Sequence, residues 1–202
     1  MGAFILTEKF IRAFCTIEDY LFDLYTGIDT GSNPHEMASH QFGYGYQAVW
    51  IRNVRQLIYK AFSLGETPVA FIDIGCGKGK ACFYANTTGK FKHVLGIDVS
   101  EVLIDKAHLN LHAFRKGGVQ FIQADATEYV LPPVKSFIFM FNPFGEDVMR
   151  RFIELNYSVL RDHGSLLAYA NDVERAVIEK YGFVSIYRDN KRKLSLYRAR
   201  TT

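Results

Sequence analysis

The sequence predicts an α/β fold: a mainly parallel seven-stranded sheet with helices on both faces, preceded by a helical N-terminal cap. Three observations predict it. From residue 69 onward, short apolar runs alternate with amphipathic stretches. Before that point the chain carries only helical spacing, and the change of character falls near Gly65–Pro68. Several apolar runs end in Asp, Asn or Gly, the residue types that place polar groups at the carboxyl ends of parallel strands. Repeated strand–helix units imply right-handed crossovers, so neighbouring strands run parallel.

The elements follow in order. Phe10, Phe14, Ile17, Leu21 and Tyr25 recur at three- and four-residue steps and predict an amphipathic helix, with Thr7 as its N-cap and Gly27 as its stop. Residues 27–33 read as a loop, and Asn33-Pro34 could open a short helix. From about Gln47, Trp50, Val54, Leu57 and Ala61 line one face of a second helix closed by Gly65. Val69–Ile74 suits a buried parallel strand, with a helix after it to about Thr88. His93–Asp98 is the second strand, and Ser100 caps a helix running to Lys116 and stopped by Gly117-Gly118. Val119–Gln123 and Ser136–Phe141 are the third and fourth strands; the fourth is apolar throughout and so central. A helix carrying Val148, Met149, Phe152, Ile153 and Leu160 leads to Ser165–Ala170. A helix over about Val173–Tyr181 precedes a terminal hairpin, Phe183–Arg188 with Leu194–Arg200. One domain over 1–202 is expected, with 1–67 as cap and 68–202 as core.

Composition narrows the function. Of 202 residues, 49% are apolar and 22% charged, which excludes a disordered or collagen-like chain. A net charge of +3 is too small to argue for nucleic acid. Cys15, Cys76 and Cys82 lack paired-thiol spacing and fit reduced thiols, hence a cytoplasmic protein. No apolar run approaches the roughly 18 residues of a membrane span. No signal peptide is expected, since the start has no small-residue cleavage site.

The chemistry collects at strand ends. After the first strand comes Asp73-Ile-Gly-Cys-Gly-Lys-Gly79, a loop whose glycines let the backbone turn and approach a ligand. The dinucleotide fingerprint fails here, because Lys80 or Cys82 stands where Gly or Ala is needed. The P-loop fails as well, because neither Lys78 nor Lys80 precedes Ser or Thr. The loop suits an adenosyl ligand with no phosphate requirement. Asp98 can accept hydrogen bonds from both hydroxyls of a ribose. Asp125 beside Ala126 can read an adenine amino group and pack its ring. Asn142-Pro-Phe-Gly145 offers an amide carbonyl or amino group, a stiff turn and a flat apolar face. His108 and His112 lack the Glu of a zinc-protease helix, and no metal is expected. Cys76 stands near a helix N-terminus, which can lower a thiol pKa, but no nucleophile is needed.

Phe71–Gly79, Val94–Asp98, Gln123–Ala126 and Asn142–Phe144, in this order and spacing, resemble the class I S-adenosylmethionine-dependent methyltransferases. A narrower resemblance is to uncharacterised bacterial members with a Gly-Lys-Gly loop, an Asn-Pro-Phe motif and an upstream Asp29-Thr-Gly31. The resemblance implies a Rossmann-like core, the cofactor S-adenosylmethionine and the product S-adenosylhomocysteine. It implies that Gly75, Gly77 and Gly79 border the methionine and ribose, and that Asp73 helps fix the methionine amino end. It further implies that Asp98 holds the ribose diol, Asp125 and Ala126 bound the adenine, and Asn142 to Phe144 face the methyl group. Amino-group methyltransferases of this class often carry two prolines between Asn or Asp and the aromatic residue; here there is one.

The cap is expected to cover the site, with Gly43-Tyr-Gly-Tyr46 as a lid. Tyr46 is the first candidate acceptor contact, with Tyr44, His35 and His40 behind it. The methyl acceptor is unknown; a small molecule or protein is favoured over nucleic acid, and no membrane partner is expected. The basic tip Arg188–Lys193 reads as a solvated turn. Alternatives are a non-catalytic S-adenosylmethionine-binding module, a nucleic-acid methyltransferase and a nicotinamide oxidoreductase. The oligomeric state is open.

Overall fold

The computed structural model describes residues 2–31 and 46–200. Seven strands form one sheet: β1 (Ala70–Ile74), β2 (His93–Asp98), β3 (Val119–Gln123), β4 (Ser136–Phe141), β5 (Leu166–Ala170), β6 (Phe183–Asp189) and β7 (Leu194–Ala199). Their order is β3-β2-β1-β4-β5-β7-β6. The first five pair in parallel, while β7 runs antiparallel to both β5 and β6. The helices are α1 (Gly2–Thr26), α2 (Ile51–Ser63), α3 (Lys80–Thr87), α4 (Glu101–Ala113), α5 (Glu146–Asp162) and α6 (Arg175–Lys180).

Continuous apolar runs make the central strands because both faces of the sheet are covered. Every residue of β1 and β5 is buried. On one face, Phe71, Phe137, Phe139 and Ala168 pack with Val54, Leu57 and Ala61 of α2, Phe83 of α3 and Ala107 of α4. On the other, Ile72, Ile138, Met140, Leu167 and Tyr169 pack with Met149, Phe152 and Ile153 of α5 and Ile178 of α6. Alternation along each strand thus divides the core between two helical layers. Strand order reverses between β1 and β4, so their carboxyl ends open a crevice.

Ser100 caps α4 as expected, its Oγ accepting from the Leu103 N–H at 3.3 Å. The helix ends at Ala113 rather than Lys116, because Phe114 turns to extended backbone. Two departures concern α1. It begins at Gly2, ahead of the expected cap at Thr7. Its spaced apolar stripe also faces away from the core: Phe10, Phe14, Ile17, Leu21 and Tyr25 are 54–90% exposed, whereas Cys15 and Asp19 are buried. Polar bonds orient the helix instead. Asp19 accepts from the Ile51 N–H at the start of α2 (3.0 Å) and pairs with buried Lys80 (3.2 Å). Asp23 accepts from both the N–H (2.9 Å) and the hydroxyl of Thr30. The expected helix at Asn33-Pro34 and the lid residues before Tyr46 lie outside the described residues.

Asn156 is a buried clamp between α5 and the segment that follows β3. Its Oδ1 accepts from Leu131 N–H (2.8 Å), and its Nδ2 donates to the carbonyls of Tyr129 (3.0 Å) and Phe152 (3.1 Å). Asn156→Ala strands these groups away from water, so it is expected to cost roughly 2–4 kcal/mol. Urea unfolding checks this; a midpoint equal to wild type would remove the clamp from the account.

Candidate active site

The glycine loop between β1 and α3 is shaped by its own chemistry. Gly75, Gly77 and Gly79 have φ of +77°, +53° and +88°, in the left-handed region that excludes most side chains. Space excludes them too. A Cβ on Gly75 would lie 2.5 Å from Pro143, and one on Gly77 would lie 2.3 Å from the Tyr46 ring. The loop is therefore pressed between the Asn142–Phe144 turn and the cap. The N–H groups of Gly75 and Cys76 both donate to the Ile97 carbonyl at 2.9 Å, tying the loop to β2.

Asp98 ends β2 and closes the clamp. Its Oδ2 accepts from Gly77 N–H (2.8 Å), and its Oδ1 accepts from Ser100 N–H (2.9 Å). Asp73 lies within β1 and is 3% exposed. Burial pushes its carboxyl well above the usual range, and the Asp98 charge pushes it the same way. The Cys82 thiol, 3.9 Å away, offsets this only weakly. Asp125 follows β3; its Oδ1 accepts from the N–H (2.7 Å) and hydroxyl (2.8 Å) of Thr127. Ala126 packs on the second core layer. Burial pushes the Cys76 thiol well up, and Cys82, Asp73 and Asp98 add to this. The net shift is thus upward, where the position near a helix N-terminus had suggested a lowering.

After β4, Asn142 has φ of +40°, a region Asn tolerates better than most residues. Its Oδ1 accepts from Tyr169 Oη at 2.9 Å. Phe144 is 7% exposed and meets Phe152 of α5, with ring centroids 6.5 Å apart. Tyr46 lies over Gly77, and its hydroxyl donates to the Thr30 carbonyl (2.7 Å). Lys78 Nζ sits over the same ring, 5.2 Å from its centroid, and donates to the Gly31 carbonyl (2.8 Å). Asn110 completes the junction: its Oδ1 accepts from Asp29 N–H (2.8 Å), and its Nδ2 donates to the Lys78 carbonyl (3.1 Å).

These residues converge. Asp73, Gly75, Gly77, Asp98, Asp125, Ala126, Asn142, Phe144 and Tyr46 all line one cavity of about 590 Å³ at the strand ends. That volume suits a small-molecule ligand. Gly79 stands just outside, at the N-terminus of α3, where a Cβ would meet Phe121 at 2.4 Å. It is the residue that opens α3, with no room for a side chain against Phe121 and Phe83. Lys80 also lines the cavity, but Asp19 balances its charge. Asp73, Asp98 and Asp125 leave an acidic excess, which fits a ligand carrying ammonium and sulfonium groups.

Sequence reasoning missed several residues. Tyr169 reads as one more apolar residue of β5, and Asn110 as a polar position on α4. Gly96 lies inside β2 because a Cβ there would stand 2.8 Å from Cys76 and from Phe121. An isolated glycine within a strand was the one available signal.

The sheet order is that of a Rossmann-like α/β fold with a crevice at its strand ends, and the methyltransferase domain matched within it is of the class that uses S-adenosylmethionine. Residues 71–164 match a family model described as a methyltransferase domain. No curated protein matches the chain. Among solved structures, a proposed RNA methyltransferase from Pyrococcus horikoshii is similar over 90% of this chain and 94% of its own, with 21% identity and a TM-score of 0.59. The ribosomal protein L11 methylase of Lactobacillus delbrueckii subsp. bulgaricus is similar over 75% and 78%, with 14% identity and a TM-score of 0.56. Magnesium protoporphyrin IX methyltransferase from Synechocystis PCC 6803, with bound S-adenosylhomocysteine, is similar over 74% and 83%, with 14% identity and a TM-score of 0.54. Among the described residues no helix is long and apolar enough to cross a membrane.

Proposed function

We propose that the cavity holds S-adenosylmethionine in one orientation and delivers its methyl group to a small-molecule or protein acceptor. The observation that carries this is the convergence of Asp73, the glycine loop, Asp98, Asp125 and Asn142 on one crevice where strand order reverses. In this reading Asp98 takes the ribose diol. Asp125 and Ala126 bound the adenine. Asp73 is kept ionised by the amino end of the methionine, and Gly75 and Gly77 give the backbone its close approach. Asn142 and Phe144 form the wall facing the methyl group. Tyr46 seals the loop beneath the cap, with its hydroxyl held by Thr30.

The cofactor supplies an already activated methyl group. The chain's part is to align the acceptor and exclude water, which in favourable cases supplies on the order of 7–11 kcal/mol. Calorimetric titration tests the first step: S-adenosylhomocysteine is expected to bind at one site, and NAD is not. No heat with S-adenosylhomocysteine would overturn the reading.

A nucleic-acid acceptor is the rival reading, favoured by the likeness to the Pyrococcus structure. The basic hairpin tip argues against it. Arg192 donates to Gln56 Oε1 (2.6 Å) and pairs with Asp189 (3.4 Å), and Arg188 Nε lies 3.2 Å from buried Asp172. These cations are engaged within the chain. A nucleic-acid substrate predicts binding that falls steeply with salt.

A further inference from the structure

The outward face of α1 has the spacing of a helix–helix seam. Phe10, Phe14, Ile17, Leu21 and Leu24 follow one another at steps of four, three, four and three residues. That averages about 3.5 residues, the repeat that keeps one apolar line turned toward a partner helix. All five are exposed, and so are Tyr20 and Tyr25 beside them. Successive helical residues lie about 100° apart. The line is therefore on the far side of α1 from Cys15, Asp19 and Phe22, which face the body of the protein.

Chemistry, size and shape point to the occupant. The line carries no charge, and Glu18 next to it is paired with Arg55, so two such faces meet without opposing like charges. A buried aromatic side chain covers about 150–250 Å², so the five seam residues and two tyrosines leave on the order of 800 Å² open, one partner's share of a standard interface. Antiparallel apposition sets the ring-bearing end, Phe10 and Phe14, against the aliphatic end, Leu21 and Leu24, so large side chains oppose smaller ones. A lipid surface fits less well. α1 holds Lys9 and Arg12 against Glu8, Glu18, Asp19 and Asp23, an acidic excess that anionic headgroups repel.

We infer that α1 is the interface between two copies of this chain, packed seam to seam and antiparallel about a two-fold axis. The contact is isologous, with the same patch on both copies, and so closes at a dimer. It covers the apolar side chains that polar bonds turn away from the sheet: Asp19 to the Ile51 N–H and Lys80, and Asp23 to Thr30. Burial of apolar area drives the association. The inference rests on α1 alone and is independent of the methyltransferase reading.

The test is analytical ultracentrifugation of the full chain across the micromolar range. The wild type is expected to sediment with the mass of two chains. Ile17→Glu and Leu21→Glu each place an unpaired charge in the seam and are expected to weaken association at least tenfold. Leu109→Glu, at an exposed position of α4, is expected to leave it unchanged. Amide hydrogen exchange locates the contact in the wild type without any variant: α1 is expected to exchange more slowly as the protein is concentrated, and α4 is not. A two-chain mass that both seam variants leave intact, or exchange in α1 that ignores concentration, overturns the inference. A single-chain mass throughout overturns it too. Retention of those single chains on phosphatidylglycerol vesicles would then assign the seam to lipid, and no retention would assign it to another segment or another protein.

Discussion

Asp98→Ala is expected to weaken S-adenosylhomocysteine binding about 10- to 150-fold. Hydrogen bonds to a charged group contribute about 1.5–3 kcal/mol, and each 1.4 kcal/mol is a factor of ten. Asp98 has two tasks that the variant loses together. It would bind the ribose diol, and it holds the glycine loop through the Gly77 N–H at 2.8 Å. Asp98→Asn separates them in part, because its amide carbonyl can still accept one backbone bond while its nitrogen accepts none. Its affinity is expected to fall between wild type and the alanine variant. Calorimetry at matched ionic strength measures all three. An alanine variant within twofold of wild type would take Asp98 out of the binding site.

Asp73→Asn is expected to act in opposite directions on stability and on binding. The Asp73 carboxyl is raised, first by burial and then by the Asp98 charge. The folded chain thus binds this proton more readily than the unfolded chain. The stability linked to Asp73 is fully present below the ordinary carboxylate range, and it falls as pH rises through the raised value. A neutral amide escapes that loss. At neutral pH the variant without cofactor is expected to be more stable by roughly 1–3 kcal/mol, because a neutral amide escapes the cost of burying an ionisable carboxyl. In a chain this long that is a rise in Tm of several degrees. Its Tm is also expected to vary less with pH. Cofactor affinity moves the other way, falling tenfold or more as an ionised partner for the methionine amino group is lost. In the wild type, binding favours the ionised form of Asp73 over the protonated one, so affinity weakens as pH falls. Melting curves across pH, and titrations in buffers of different ionisation enthalpy, measure these effects. A lower Tm for Asp73→Asn at neutral pH would contradict the burial argument. Stability and binding conflict at this carboxylate, as they often do at functional positions.

Strand positions were legible because burial on both sheet faces forces unbroken apolar runs, and β2, β3 and β4 end where their sequences turn polar. The cavity-lining carboxylates and glycines were legible for a related reason. Parallel strands deliver their carboxyl ends to one rim, so residues far apart in sequence share a site once the strand order is set. The orientation of α1 was not legible. Helical spacing marks an apolar stripe, but Asp19 and Asp23 bond to α2 and to Thr30, and those bonds turn the stripe outward.

The amino-acid sequence by itself determined the α/β architecture, the cofactor crevice and the residue types that line it. These follow from periodicity and strand-end chemistry, which are local. Only the tertiary structure decided which atom of Asn142 meets Tyr169, why Gly75 and Gly77 tolerate no side chain, and how far Asp73 is driven from its ordinary ionisation. Each depends on groups brought together across the sheet, where direction, distance and desolvation set the energy.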